Sequence, residues 1–228
     1  MQEKENIKLN KEIGIIEPFL EQVLIGIILG DGHLEKTSFG IKANARLRIT
    51  FAERYRPLAF YIAGLFCKYI TPKGIRFSKV KSSKDSELYG RISITSLASP
   101  VFNNYHNLFY KSVSTDQNNK YVKIVPKNIE ELLSPISLAF WLSGDGNYNK
   151  IKKVIRICTN SSTKEEVELL SKAIFNKFSI ETRLEHTRNN QYILVVRTTQ
   201  VPKLQNIVKE HMHPTMLYRI GLPTLEQI

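Results

Sequence analysis

Cysteine is nearly absent. Cys67 and Cys158 are the only two, and neither has a partner at CxxC spacing. That excludes a disulfide framework and a structural zinc site, and it leaves both as expected small core residues of a reducing compartment. His211 and His213 flank Met212 with no further ligands nearby, and they read as solvated. Long apolar runs are also missing. The longest, Val23 to Leu29 and Phe60 to Cys67, fall far short of the ~20 residues that span a bilayer, so no membrane is expected as a partner. Acidic residues are in short supply, 21 against 33 Lys and Arg, for a net charge of +12 and a pI near 9.6. This balance implies a polyanionic partner, nucleic acid before membrane. Glu3, Glu5 and Glu12 among the first lysines fit neither a secretory signal nor an acid-poor transit peptide.

What is present is a repeated word. LIGIILGDG runs from Leu24 to Gly32 and LAFWLSGDG from Leu138 to Gly146, half a chain length apart. Each is an apolar helical run ending in Asp-Gly. One copy alone would be ordinary turn chemistry, whereas two copies mark equivalent points of two related halves. A helix prefers cations in its last turn, so a carboxylate there costs stability. Gly32 and Gly146 are expected to close the helices in the left-handed conformation. Gly26 with Gly30, and Ala139 with Ser143, form strips of small residues that suggest the two helices pack on each other. Both acidic ends, Asp31 and Asp145, then emerge together, and a hard divalent cation would relieve their repulsion.

Between these words the pattern alternates strand and helix. Ile41 to Phe51 has period two, a helix follows near Pro57 to Tyr69, and strands read at Ile75 to Lys81 and Leu88 to Leu97 before a helix near Val101 to Lys111. The second half repeats the order: a strand near Tyr148 to Thr159, a helix near Lys164 to Phe178, strands near Glu181 to Arg188 and Tyr192 to Thr198, and a helix near Pro202 to His211. Ser112 to Asn119 is polar and aperiodic and reads as the linker. Resulting boundaries are an N-terminal extension at 1–20, a first repeat at 21–111, a linker at 112–134 and a second repeat at 135–228.

One side of the first strand carries Lys42, Asn44, Arg46 and Arg48, with apolar residues on the other. A ribbon of this kind fits the major groove, where arginine reads guanine and asparagine reads adenine while lysine holds phosphate. Arg76, Ser78, Arg91, Ser93 and Thr95 continue the alternation. Lys150, Lys152 and Arg156 share one face of the second half's first strand, and Arg183, Arg188 and Arg197 are further candidates. Tyr192 to Val196 is apolar on both sides, which leaves the phase of that strand open.

With these residues the chain resembles the LAGLIDADG homing endonucleases in their single-chain, two-repeat form. The resemblance implies an α+β fold of two pseudo-symmetric αββαββα halves. Their antiparallel sheets form a saddle over DNA, and the two motif helices pack where the halves meet. It implies that Asp31 and Asp145 hold Mg²⁺, with Mn²⁺ as a substitute, helped by the carbonyls of Gly30 and Gly144, and that no zinc or organic cofactor is used. A basic residue beside each site is implied too: Lys123, ahead of Pro126 and the second motif, matches, whereas Arg219 in MLYRI stands where a lysine is expected. Arginine there is a planar donor that does not give up its proton. Glu53 and Asn160 are candidates for ordering water. The implied activity is site-specific cleavage of a long asymmetric DNA duplex by a monomer, one phosphodiester per strand across the minor groove, leaving short 3′ overhangs. Such a protein is intron- or intein-encoded, and by resemblance its location is an organelle. An RNA-binding intron maturase, or a DNA-binding regulator on the same fold, is the alternative.

Overall fold

In the computed structural model, residues 15–36, 43–81, 87–115, 118–187 and 191–224 are described. Two compact units divide the chain, one made of Met1–Leu20 and Gly32–Val122, the other of Glu21–Asp31 and Lys123–Ile228. The motif segment from Glu21 to Asp31 therefore belongs with the second unit, although its sequence continues into the first. No helix among the described residues is long and apolar enough to cross a membrane.

The first helix, α1 (Pro18–Leu29), leads into β1 (His33–Lys36) and β2 (Ala45–Ala52). Next come α2 (Arg56–Leu65), β3 (Ile75–Lys81), β4 (Leu88–Thr95) and α3 (Asn103–Phe109), the last entered through a 3₁₀ turn at Pro100–Phe102. The four strands form one antiparallel sheet in the order β1-β2-β4-β3. Period-two alternation dictates its two faces. Leu34, Ala45, Leu47, Ile49, Phe51, Ile92 and Ile94 are buried on one, together with Leu58, Ala59, Ile62 and Ala63 of α2. Fully burying a side chain of this size contributes roughly 1.5–3 kcal/mol, so the inward phase of this sheet is strongly specified.

The polar segment read as a linker is a hairpin. Tyr110–Thr115 (β5) pairs with Asn118–Lys123 (β6) in a separate two-stranded sheet. Its anchors are aromatic and far apart in sequence. His106 of α3 stacks on Tyr110 with ring centroids 4.8 Å apart and meets Tyr121 edge-on at 4.5 Å. Tyr110 Oη accepts the Leu34 amide at 2.9 Å. Burial pushes this phenol's pKa up to about 12.

The second unit repeats the topology. After a short turn of helix, α4 (Ile129–Leu132), come α5 (Pro135–Asp145), β7 (Gly146–Asn149), β8 (Val154–Ile157), α6 (Lys164–Phe178), β9 (Thr182–Thr187), β10 (Gln191–Val196) and α7 (Val201–Val208). Strand order is β7-β8-β10-β9, the same as in the first sheet. Helix α5 starts because Ser134 and Ser137 form a reciprocal capping box with Pro135 in the first turn. Thr163 and Glu166 do the same for α6. The strand expected from Tyr148 to Thr159 is two strands: the Asn149 side chain accepts the amides of Ile151 and Lys152 at 3.0 and 2.8 Å and folds the intervening residues into a turn. A 3₁₀ segment at Pro214–Ile220 is the last element of the described chain. His213 caps it by accepting the Thr215 amide, so this histidine is a structural cap and not merely solvated.

Candidate functional site: two helix-end aspartates and their cations

Residues Ser137 to Ser143 of α5 are all buried, as expected of a helix apolar on every side. It packs directly against α1 within the second unit. A Cβ built on Gly26 would lie 2.3 Å from Ser137 O and 2.7 Å from Phe140 Cβ, so only glycine permits this approach. Gly30 lies against Trp141, and the Cβ position of Gly144 is 3.2 Å from Asp31 Oδ2. The face of α5 turned to α1 thus runs Ser137, Phe140, Trp141, Gly144, at i, i+3, i+4 and i+7. Ala139 and Ser143 lie on the other side of the helix, where Ser143 Oγ donates to Ala139 O at 2.8 Å. The small-residue strip was correctly placed in the first copy and misplaced in the second, because a glycine in one helix (Gly26) accommodates a large residue at the same motif position in the other (Phe140).

Asp31 and Asp145 are brought together by this packing. α1 ends at Leu29, two residues before Asp31, while α5 continues through Asp145. Neither following glycine is left-handed: Gly146 is extended at φ −70°, and Gly221 is the only positive-φ glycine among the described residues. What demands glycine at 146 is space, since a Cβ would sit 2.5 Å from Leu142 O. Trp141 Nε1, one helical turn before Asp145, donates to Asp145 Oδ2 at 3.3 Å. Burial, reinforced by the charge of Asp31, raises the Asp145 pKa to about 7, while Lys123, the Trp141 hydrogen bond and Arg219 act against that rise.

Both proposed cations reach this carboxylate pair. Lys123, the last residue of β6, donates through Nζ to Gly30 O at 3.0 Å, immediately before Asp31. Burial lowers its pKa, opposed by the charges of Asp145 and Asp31. Arg219 arrives from the C-terminal 3₁₀ segment and donates through Nη1 to Gly146 O at 2.9 Å, immediately after Asp145. Gly221 makes that segment's turn at φ 82°, against the ring of Tyr148. Cys158 feels the fields of Asp145, Arg219 and Asp31, and burial pushes its thiol pKa up. Both cysteines are exposed at the residue level, contrary to their expected place in the core.

On the first sheet, the outward face is as the alternation predicts. Arg46, Arg48 and Thr50 of β2 point away from the core, in register with Ser93 and Thr95 of β4, while Arg76, Ser78 and Arg91 share the face through the β3–β4 pairing. Asn44 precedes β2 and its Oδ1 accepts from Asn103 Nδ2 at 2.9 Å, so it belongs to the strand's entry and not to the polar ribbon. Lys42 and Arg188 lie outside the described residues. Glu53 ion-pairs with Arg56 at 2.6 Å. Its carboxylate occupies the space over Gly90.

On the second sheet, Arg156 is in register with Val195, which is in register with Arg183, settling the phase of β10: Ile193 and Val195 share the face of these arginines. The opposite face, with Thr182, turns to α6, where Ser171 and Thr182 hydroxyls meet at 2.7 Å. Lys150 and Lys152 sit in the β7–β8 turn and not on a strand face. Arg197 follows β10 and pairs with Glu181 at 3.7 Å. Asn160 is exposed in the turn after β8.

Sequence reasoning missed Glu35 and Glu185, which lie among these arginines, and it missed Trp141. The Trp141 contact was legible in principle, because a side chain four residues before Asp145 shares its helix face. Among the described residues no three His, Cys, Asp or Glu side chains cluster as a metal cage.

Two αββαββα halves with one sheet order, each introduced by an Asp-Gly helix, define the class, and comparison with known proteins names it. Residues 21–204 match the LAGLIDADG DNA endonuclease family, and the chain belongs to that family. It is 25% identical over 222 residues to the cytochrome b mRNA maturase bI2 of Saccharomyces cerevisiae, a match that covers 93% of this chain and 50% of the relative. The chain therefore spans about half the length of that yeast protein. It is 24% identical over 217 residues to the DNA endonuclease I-ChuI of Chlamydomonas applanata, covering 88% of this chain and 94% of that one. The homing endonuclease I-WcaI, solved bound to its DNA recognition sequence, shares the fold with a TM-score of 0.77 at 20% identity, over 91% of this chain and 88% of that one.

Proposed function

We propose that this protein is a site-specific double-stranded DNA endonuclease of the intron-homing type, acting as a monomer on a long asymmetric duplex. One phosphodiester in each strand is hydrolysed across the minor groove, leaving short 3′ overhangs. The observation that carries the reading is the meeting of Asp31 and Asp145 beside two cations, with Asp145 driven up to about 7 by burial and by its neighbour's charge. Concentrated negative charge of this kind fits a hard divalent cation. Asp31 and Asp145 would hold Mg²⁺, with the carbonyls of Gly30 and Gly144 as further oxygen donors and water completing the set. When bound, the metal supplies charge neutralisation at phosphorus and an acidified water.

The chain's own residues do the rest. Lys123 and Arg219 bring positive charge to opposite ends of the aspartate pair, where phosphoryl oxygens gain charge as the bond breaks. Arg46, Arg48, Arg76 and Arg91 on one sheet, and Arg156 and Arg183 on the other, supply base and phosphate contacts. The location is an organelle, in keeping with a relative named for cytochrome b mRNA. The test is selection of cleaved sites from a randomised duplex library with Mg²⁺, with chelator, and with Asp31→Asn as control. A unique site cut only with metal and only by the parent supports the reading; no enriched site overturns it. A second reading, intron maturase, is favoured by the name of the yeast relative. Acceleration of splicing of an intron-containing transcript by an Asp31→Asn, Asp145→Asn variant is its signature.

A further inference from the structure

The arginine-bearing face of each sheet carries one carboxylate held between two arginines, over a buried Val154, Ile193 and Val195 cluster in the second sheet. On the first, Glu35 of β1 lies opposite Arg46 in the β1–β2 register. Its Oε1 accepts from Arg46 Nε at 2.7 Å and Nη2 at 2.6 Å, and its Oε2 lies 3.6 Å from Arg48 Nη1. Burial works to raise the Glu35 pKa, but the Arg46 hydrogen bond with the charges of Arg46, Arg48 and His33 brings it below the ordinary carboxylate value. On the second, Glu185 of β9 pairs with Arg183 on its own strand and with Arg156 of β8 at 3.7 Å. Both carboxylates are 26% exposed, so they are partly shielded yet within reach of a ligand on the face.

In a chain with net charge +12, a carboxylate on a surface that is to meet phosphates works against affinity. Two such residues, one on an edge strand of each sheet though not on equivalent strands, ask for a purpose other than solubility. Arg46 turns its side-on edge, Nε and Nη2, toward Glu35, which leaves the donors on its other edges for a base. End-on contact to guanine O6 and N7 is the commonest specific arginine contact, and a carboxylate beside it accepts from cytosine N4. Held by a carboxylate, the guanidinium also loses less freedom on binding.

We propose that Glu35 and Glu185 are specificity-determining residues, each forming with its arginines a unit that selects a G·C pair in the major groove and disfavours phosphate contact at that point. The proposal rests on the endonuclease reading and names how that enzyme discriminates among sequences. An acidic reader of cytosine N4 cannot be replaced by a neutral amide without losing the charge that rejects a phosphate or a base acceptor. The arginine fork would then be released to grip the backbone.

The experiment is a binding-site selection from a randomised duplex library in chelator, so that nothing is cut, with the parent, Glu35→Gln, Glu185→Gln, and Glu168→Gln as a control. Glu168 pairs with Lys164 on α6, the helix that packs on the opposite face of the second sheet. Expected is a loss of roughly tenfold in G·C preference at one position for each of the two sheet variants, at different positions, the order set by one direct base contact. Affinity for random duplex should rise in both, and the control should match the parent. If both variants keep the parent's base preferences and only bind all DNA more tightly, the acids are general brakes and the inference is overturned. Absence of any sequence-selective duplex binding by the parent overturns the endonuclease reading itself, a result distinct from selective binding that the variants leave unchanged.

Discussion

The Lys123 ammonium donates to the carbonyl of Gly30 at 3.0 Å, across 93 positions of sequence, and so sits one residue from Asp31. Arg219 makes the corresponding contact to Gly146, one residue from Asp145. Each cation is anchored to the main chain beside an aspartate, and Lys123 feels the charge of both carboxylates while Arg219 acts on Asp145. Asp31→Asn or Asp145→Asn should therefore lower double-strand cleavage by more than about a hundredfold, the order of losing one transition-state charge stabiliser. Duplex binding measured in chelator should persist, since the sheet arginines are untouched. Efficient cutting of both strands by either variant would refute the two-carboxylate assignment.

The helix contact makes a stability prediction that needs no substrate. Gly26→Ala forces a Cβ to within 2.3 Å of Ser137 O, backbone that cannot swing aside. It should destabilise the chain by about 1–3 kcal/mol, the range for overpacked cores. Gly30→Ala places its Cβ at ordinary contact, 3.6 Å from Gly26 O and Trp141 O, and should stay within about 0.5 kcal/mol of the parent. Urea titration decides it: equal losses for the two variants would mean that the helices do not approach as described.

How much of this was legible follows from what each signal depends on. Period-two alternation in Ala45–Ala52 needs only the chain itself, and the outward phase of Arg46 and Arg48 came out as read. Helix α6 was equally plain, bounded by Thr163 and its capping box at one end and by Ser179, itself left-handed, at the other. The hairpin at Tyr110–Lys123 was not legible, because His106 and the two tyrosines that fix it are brought together by tertiary packing. Nor was the turn at Lys150–Lys153, whose Lys-Ile-Lys alternation imitates a strand while Asn149 folds it back. Glu35 escaped notice because β1 has four residues, too few to show a period, and its importance lies wholly in the register with β2.

Lys123 and Arg219 differ in chemistry while holding comparable places. Lysine is a compact ammonium that can approach and order water, whereas arginine presents a planar fork suited to gripping phosphate oxygens. The two strands should be cut at unequal rates, with a nicked intermediate on supercoiled substrate. Lys123→Met should slow one strand and Arg219→Met the other, each by about a hundredfold. Arg219→Lys should stay active with an altered nicking bias. Strand-labelled kinetics in which either Met variant slows both strands equally would remove the one-cation-per-strand assignment.

Two buried groups set opposing pH dependences on the metal-free protein. His106 is buried against Tyr110 and Tyr121, and burial, with the charge of Lys36, lowers its pKa to about 4. Between that value and the ordinary histidine value the unfolded chain binds a proton that the folded chain lacks, so this group makes stability fall as pH falls toward 4. Asp145 is the reverse case. With its pKa raised to about 7, the folded chain keeps a proton that the unfolded chain has lost from about pH 4 upward, so this group makes stability fall as pH rises toward 7. The parent's melting temperature in chelator should consequently vary little across that window, because the two terms oppose each other. His106→Phe should uncover a decline in stability toward pH 7, and Asp145→Asn a decline toward pH 4. Adding Mg²⁺ should stabilise the parent more at pH 8 than at pH 6, since the ion competes with the Asp145 proton, and should do little for Asp145→Asn. If the two variants show the same pH profile as the parent, neither group is held in the protonation state that its burial dictates.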